Sequence, residues 1–479
     1  MADLDREQQR AELYRGIWNI ANGLRGSVDG WDFKQYVLGM LFYRYISENL
    51  TKYINDGEHA AGDTAFNYAE LSDEDAEGAK EGLVEEKGFF ILPSMLFENV
   101  RKAADKDSTD LNEKLEKVFA YIEGSAVGTE SEDDLSGLFD DMDVNSNKLG
   151  GTVEERNKRL VLLLDGIGDM NLGDYKDSKI DAFGDAYEYL MGMYASNAGK
   201  SGGEFFTPQE VSELLTRIAI GDKKEINKIY DPACGSGSLL LKAGKLIGKE
   251  NVRQGFFGQE INITTYNLCR INMFLHDIGY NKFDIAHGDT LTKPAHWNDE
   301  PFEAIVSNPP YSIHWAGDDD ATLINDPRFS PAGVLAPKSK ADFALFWHSL
   351  SWLATDGTAA IVCFPGIMYR GGAERKIRRY LIDNNFVDCV IQMPGNLFYG
   401  TSIATCIMVL RKSKADNKVL FIDASKEFIK VTNNNKLTED NIMHIYNWWH
   451  DRKSVPYTCQ LVDAAKIAEE DYNFTVSTY

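Results

Sequence analysis

INKIYDPACGSGSLLLKAGKLI (226–247) sets an apolar strand-like run, a glycine-rich turn and a helix-length apolar segment side by side. The β-compatible run 226–230 stops at an acidic residue, Asp231, and the helical pattern 238–247 begins at Ser238. Gly235 and Gly237 between them let the backbone turn tightly and approach a ligand closely. The same alternation continues outward. Further short apolar runs fall at 255–259, 283–287, 304–307, 359–364, 387–392 and 404–410. Helix-length segments at 264–276, 342–353 and 373–384 separate most of them. Strands alternating with helices predict an α/β fold, a mostly parallel sheet with helices on its faces. The last two strands are joined by PGNLFYGTS (394–402), which holds no helix, so they are expected as an antiparallel hairpin at the end of the sheet.

At 479 residues the chain calls for two or three domains. Residues 1–165 carry helical signals, above all DFKQYVLGMLFYRYISENLTKY (32–53) and NEKLEKVFAYI (112–122), and predict an all-α N-terminal domain. The acidic run TESEDDLSGLFDDMD (129–143) is expected as a solvated loop. Residues 166–415 form the α/β domain. Residues 416–479 read as a polar C-terminal tail with one strand at 418–422 and an amphipathic helix at 437–449, a candidate surface for a partner. The Trp448 and Trp449 pair on that helix is expected in the core.

Bulk properties narrow the function classes. Six cysteines stand singly with no Cys/His cluster, so neither a zinc site nor a disulfide framework is expected. Asp318, Asp319 and Asp320 are expected in a solvated loop, and no metal is called for. No run approaches the roughly 20 apolar residues of a membrane span. The first residues lack the apolar stretch of a secretory signal, so a cytoplasmic location is expected. Lys and Arg total 50 against 74 Asp and Glu, a net charge of −24. Phosphate contact supplies much of the affinity of proteins that grip nucleic acid alone, so this balance argues against an autonomous nucleic-acid binder.

Two acidic residues accompany the glycine-rich loop. Asp231 closes the first strand, and Glu260 follows the second, 23 residues after Gly237 (260 − 237). That spacing suits a carboxylate taking both hydroxyls of a ribose. The loop lacks both the GK[ST] ending of a phosphate-binding loop and a full GxGxxG. A nucleoside without a phosphate chain fits better. S-adenosylmethionine is such a ligand, and its cationic amino-acid end suits Asp231. Asp289, in HGDT (287–290), ends the third strand; it either reaches the adenine of the cofactor or caps the turn.

The fourth strand runs into Asn308, Pro309, Pro310 and Tyr311. Ligands of parallel α/β sheets bind beyond the carboxyl ends of the strands, so this tetrapeptide is expected to face the cofactor loop. The residue types suit methylation of a planar amine. The Asn308 side-chain oxygen and a backbone carbonyl accept the two N–H bonds and direct the nitrogen lone pair at the methyl group. Pro309 has a fixed φ and no N–H, which holds its carbonyl in place. Tyr311 offers a face for stacking, worth about 1–3 kcal/mol per base. Alignment carries most of the effect, and no general base is needed at the attack. An adenine in a duplex must be flipped out to reach such a site, at a cost of a few kcal/mol.

Six segments in fixed order carry a family resemblance: GEFFTPQ (203–209), DPACGSGS (231–238), GQE (258–260), NPPY (308–311), KADFA (340–344) and GNLFYGT (395–401). With them the chain resembles the modification (M) subunits of type I restriction-modification systems, within the N6-adenine DNA methyltransferases. The resemblance implies the Rossmann-like fold of S-adenosylmethionine-dependent methyltransferases. It implies that Glu204, Phe205, Phe206, Thr207, Pro208 and Gln209 close over the cofactor, with Phe205, Phe206 and Thr207 touching it; on residue pattern alone this is a turn before a helix. Ser236, Gly237, Ser238 and Glu260 match further cofactor contacts of the family. The implied partners are a specificity (S) subunit that reads double-stranded DNA, with two M subunits to one S, and a restriction (R) subunit that cleaves with ATP this chain does not bind. Outsourced target reading accounts for the acidic charge. Arg370, Arg375, Lys376, Arg378 and Arg379 form a basic cluster, for which DNA phosphate contact and a solvated helix face are both open. A protein-glutamine methyltransferase and a non-enzymatic scaffold are the rival functions; the helical N-terminal region counts against the first, and intact Asp231, Glu260 and Asn308 against the second.

Overall fold

Nine strands make one mixed sheet in the computed structural model, which describes residues 2–23, 30–104, 109–172, 182–197, 206–432 and 434–479. In chain order they are β1 (Ile226–Asp231), β2 (Val252–Glu260), β3 (Phe283–His287), β4 (Phe302–Ser307), β5 (Leu353–Cys363), β6 (Val387–Gln392), β7 (Cys406–Arg411), β8 (Lys418–Asp423) and β11 (Cys459–Asp463). β9 (Ile429–Val431) and β10 (Asn434–Lys436) form a separate two-stranded hairpin. The sheet order is β11-β8-β6-β7-β5-β4-β1-β2-β3. β1 through β5 pair in parallel, with Tyr230 of β1 opposite Phe257 of β2 on one side and Ile305 of β4 on the other. The chain thus winds outward from β1 to β3 and then crosses back to β4. That reversal opens a crevice at the carboxyl ends of β1 and β4, where ligands of open α/β sheets bind.

The expected antiparallel pair is present. β7 runs antiparallel to both β5 and β6, and Cys406 pairs with Cys363 and Gln392. The sheet continues beyond it, because residues after 416 add β8, parallel to β6, and β11, antiparallel to β8. β6 and β7 are buried over nearly their whole length, which explains why both are apolar apart from Asp388 and the last residue of each. Helix Asp342–Trp352 packs its aromatic residues into the same core, with Phe346, Trp347 and Trp352 all buried. Each such side chain contributes about 1.5–3 kcal/mol by leaving water. Helix Glu439–Asp451 starts on a reciprocal cap: Thr438 Oγ1 accepts from the Asn441 N–H at 3.2 Å, and Asn441 Oδ1 accepts from the Thr438 N–H at 3.0 Å. Its Trp449 is buried and donates its indole N–H to Asp388 at 2.8 Å. All of this lies in one unit, Ala198–Cys269 with Lys282–Tyr479.

The other unit comprises Met1–Asn197 with Arg270–Asn281. Its described residues hold helices and no strand, the longest being Ala2–Gly23, Gly30–Ala61, Leu111–Ser125, Val153–Gly168 and Ala182–Asn197. Helix Gly30–Ala61 buries Tyr43, whose ring meets Phe97 and Phe119 edge-on at 5.4 and 5.5 Å. The acidic run 129–143 is not a solvated loop. Leu135, Leu138, Phe139 and Met142 are buried, and Phe139 stacks on Phe119 at 4.3 Å. Arg270 Nη1 donates to the carbonyls of Asp133 and Ser136, both at 2.8 Å, which fixes the backbone of the run. The acidic side chains had hidden a three- and four-residue apolar recurrence. Among the described residues no helix is long and apolar enough to cross a membrane.

Candidate active site

The turn after β1 needs left-handed backbone, which Gly235 (φ +55°) and Gly237 (φ +83°) supply. Gly237 stands at the N-cap of helix Ser238–Ile247. The loop lies directly on β2. The Cys234 N–H donates to the Gln259 carbonyl at 3.1 Å, and a Cβ at position 258 would stand 2.9 Å from the Cys234 side chain. Gly258 is therefore what lets the loop settle there.

Asp231 is buried at the end of β1. Its Oδ1 accepts from the Ala233 N–H at 3.0 Å and the Ser307 hydroxyl at 2.8 Å. Its Oδ2 is buried with no hydrogen-bond partner. Burial pushes this carboxyl up to about 7, the two donors pull it back in part, and the neighbouring Glu260 adds repulsion. A buried carboxylate with an open oxygen invites a cation. Glu260 is also buried, which raises its pKa against the pull of backbone donors. Its Oε2 accepts from the Gly235 N–H at 3.0 Å and its Oε1 from the Asn262 N–H at 2.9 Å. The carboxylate is thus held rigid, while each oxygen keeps a lone pair for a ligand hydroxyl.

These loops enclose a cavity of about 320 Å³, the lower end of the usual size for small-ligand sites. Thr207, Ser236, Ser238, Glu260, Asp289, Asn308 and Pro310 line it, along with Pro232, Ile261 and Leu291. Asp289 has both oxygens engaged, Oδ1 by the Leu291 N–H at 2.9 Å and Oδ2 by the Thr292 hydroxyl at 2.8 Å. It caps the turn after β3. Arg328, a residue that sequence pattern did not single out, fixes that same turn from behind. Almost wholly buried, it donates to the carbonyls of Thr290 at 2.9 Å and Leu291 at 2.6 Å, and to His348 Nδ1 at 3.1 Å. Since the guanidinium only donates, Nδ1 accepts, and His348 Nε2 carries the proton facing the Tyr230 hydroxyl at 2.8 Å. Burial beside Arg328 holds His348 well below its usual pKa, in keeping with that neutral ring.

A second cavity, of about 500 Å³, adjoins the first and shares Asn308, Pro310 and Ile313 with it. Pro309 and Tyr311 line it together with Phe364, Phe398, Tyr399 and Thr401. Asn308 is held at both ends of its amide: Nδ2 donates to the Thr207 hydroxyl at 3.2 Å, and Oδ1 accepts from the Tyr311 hydroxyl at 2.9 Å. The Tyr311 hydroxyl is raised in pKa by burial and stays protonated as the donor. The next residue, Ser312, has φ +50°, a conformation unfavourable to a side chain. Its N–H donates to both carboxyl oxygens of Asp342, at 3.1 and 3.3 Å. Asp342 belongs to the KADFA segment, so that segment's part in the site is to hold the bend after Tyr311.

The remaining expected residues fall as follows. Phe206 is buried with its ring 6.1 Å from that of Tyr399. Pro208 stands at the N-cap of helix Gln209–Ile220, and Gln209 opens that helix. Glu204 and Phe205 lie outside the described residues. The basic cluster is largely spent internally. Arg370 pairs with Glu374 at 3.0 Å, Arg375 with Asp471, and Arg379 with Asp383 at 3.3 Å. Arg378 is buried on the carbonyls of Ile367 and Tyr472, both at 2.8 Å. Sequence pattern also missed Phe364 and the aromatic pair Phe398 and Tyr399 as cavity walls; their one signal was a place just beyond a strand end or in a family segment.

Comparison with known proteins accounts for this arrangement. The family model described as N-6 DNA methylase matches residues 178–479, and the HsdM N-terminal domain model matches 13–167. A type I restriction enzyme methylase subunit of Mycoplasma pneumoniae is 51% identical over 99% of this chain and 90% of its own length. One from Methanocaldococcus jannaschii is 32% identical over 74% of this chain and 64% of its own length. The crystal structure of a type I restriction-modification methyltransferase subunit from Streptococcus thermophilus superposes with a TM-score of 0.87 at 34% identity, covering 98% of this chain and 99% of that one. The open Asp231 oxygen, the fixed Glu260 and the apolar walls of the first cavity fit a nucleoside with a cationic amino-acid end. The chain belongs to the N-6 DNA methylase family as a type I restriction-modification methylase subunit, an adenine-specific DNA methyltransferase with S-adenosylmethionine as methyl donor.

Proposed function

We propose that the first cavity takes S-adenosylmethionine, that the second takes an adenine flipped out of double-stranded DNA, and that the methyl group passes to N6 across Asn308. The observation that carries this is the wall the two cavities share, Asn308, Pro310 and Ile313. When bound, the cofactor supplies a methyl group on a cationic sulfur. Glu260 takes the ribose hydroxyls, Asp231 attracts the ammonium, Ser236, Gly237 and Ser238 border the amino-acid end, and Thr207 stands against the ligand. In the second cavity Asn308 Oδ1 and the Pro309 carbonyl accept the two N–H bonds of N6. Those bonds draw the nitrogen away from planarity and leave its lone pair facing the first cavity. Tyr311 stacks on the base while its hydroxyl fixes the Asn308 amide. The amine needs no prior deprotonation, so alignment and stabilisation of the positive charge developing on N6 carry the rate, and the surplus N6 proton leaves to water after the transfer.

A separate specificity subunit brings the site to its target, two M subunits to one S, and a restriction subunit joins to cleave unmodified DNA in the cytoplasm. The net charge of −24 supports this division, since most of the phosphate attraction then comes from another chain. Base flipping has a direct test. With the specificity subunit present, a duplex whose target adenine faces a mismatched base should bind at least about tenfold tighter than the paired duplex, because the unpairing cost has been removed. Equal affinities for the two duplexes would contradict the flipped-base reading.

A further inference from the structure

The β9–β10 hairpin stands outside the large sheet. It is tied to the loop that walls the second cavity. The Asn435 N–H donates to the Asn396 carbonyl at 2.9 Å, and the Asn435 side-chain amide donates to the Gly395 carbonyl at 2.8 Å. Residues 398–401 of the same loop line the cavity. The outer strand, β9, is exposed along its length, and Lys430 pairs across the ladder with Asn435, so the two share a face.

The charge of this element runs against that of the chain. KEFIKVTNNNK (426–436) holds three lysines and one acidic residue, and Glu427 is already engaged by the Asn441 amide at 2.8 Å and by His444 at 3.2 Å. Lys426 and Lys430 are exposed and have no ion-pair partner among the described residues. The arginines near the fifth strand, in contrast, are held by Glu374, Asp471, Asp383 and backbone carbonyls. Lys376 of that cluster is exposed too, but Lys426 and Lys430 belong to the element tied to the wall of the base cavity. A base can enter that cavity only if its flanking phosphates pass over the cavity rim, and phosphates are what uncompensated lysines attract.

We infer that the β9–β10 hairpin is a DNA-backbone contact beside the flipped adenine, with Lys430 on a phosphate. This rests on the reading of the second cavity as the base site. Positioning of the strand, and not sequence reading, is its part, since a lysine on a phosphate carries no base information. The exposed apolar residues Phe428, Ile429 and Val431 would equally suit a protein partner, and the lysines favour DNA.

The test uses the chain assembled with its specificity subunit and a duplex carrying its target. Dissociation constants are measured over a range of salt for wild type, Lys430→Gln and Lys430→Arg, alongside methyl transfer and co-elution with the specificity subunit. Lys430→Gln should weaken DNA binding several-fold at low salt and reduce the slope of log affinity against log salt by about 1. Lys430→Arg should restore both, with kcat and cofactor affinity unchanged in each. An unchanged salt slope in Lys430→Gln overturns the inference. So does loss of co-elution at an unchanged slope, which would make the hairpin a protein-docking element. A wild-type complex that methylates no DNA would fail the base-site reading itself, which the variants alone cannot do.

Discussion

Asn308 has its amide fixed from two sides, by Thr207 and Tyr311, at the wall between the two cavities. On the proposed reading, removing it deletes one acceptor for N6 and leaves Asp231 and Glu260 of the first cavity in place. Asn308→Ala should lower kcat by about 100- to 1,000-fold, the scale of losing one preorganised polar contact at a reacting centre. Cofactor affinity by calorimetry should stay within about twofold, and near-normal turnover would refute the amine clamp. Asp231 yields a pH prediction. Its carboxyl is pushed up to about 7 by burial, and it must be ionised to attract an ammonium. Below pH 7 the proton competes with the ligand, so S-adenosylmethionine affinity should rise roughly tenfold from pH 6 to pH 8. Asp231→Asn should bind more weakly and lose that rise; a rise of equal size in the variant would show that another group titrates. At this scale the sequence was informative. Asp231, Glu260 and Asn308 each announced themselves by standing where a strand ends. Asp289 did so too; it caps the turn after β3 and also lines the first cavity, and no sequence pattern separates a capping aspartate from a ligating one.

Between residues and the whole chain, elements place the chemistry. The bend after Tyr311 depends on helix Asp342–Trp352, whose first residue accepts the Ser312 N–H with both oxygens. A left-handed serine costs about 1–3 kcal/mol and persists only where the surroundings compensate. Asp342→Ala should therefore let Tyr311 and Asn308 drift and lower kcat about ten- to hundredfold, with cofactor affinity nearly unchanged. Loss of cofactor binding instead, in isothermal titration, would mean that Asp342 supports the first cavity. The strands from 226 to 410 were legible because each is a short apolar run between turn residues. Three features were not. The run 129–143 concealed four buried apolar residues among acids. The segment after 416 showed its strand at 418–422, but neither the second strand, Cys459–Asp463, nor the long-range pairing of the two with the sheet is encoded in local pattern. Arg328 looks like an ordinary surface arginine in sequence, and only its burial on Thr290 and Leu291 reveals that it holds a wall of the first cavity.

Across the whole molecule, charge and chemistry point to a division of labour. A net charge of −24 disfavours a lone grip on DNA, while two adjoining cavities share the wall at Asn308 across which the proposed methyl transfer runs. On the proposed reading, Lys426 and Lys430 of the hairpin segment guide a strand that another chain has already brought in. The chain alone should then leave DNA unmodified and become active once a target-reading partner is present. The most direct measurement is transfer of labelled methyl from S-adenosylmethionine to unmodified genomic DNA, with and without the cognate specificity subunit, followed by nucleoside analysis. The prediction is N6-methyladenine only when the partner is present. Methylated adenine from this chain alone would contradict the outsourced targeting, and no methylated adenine in either reaction would contradict the assignment of the second cavity to the base.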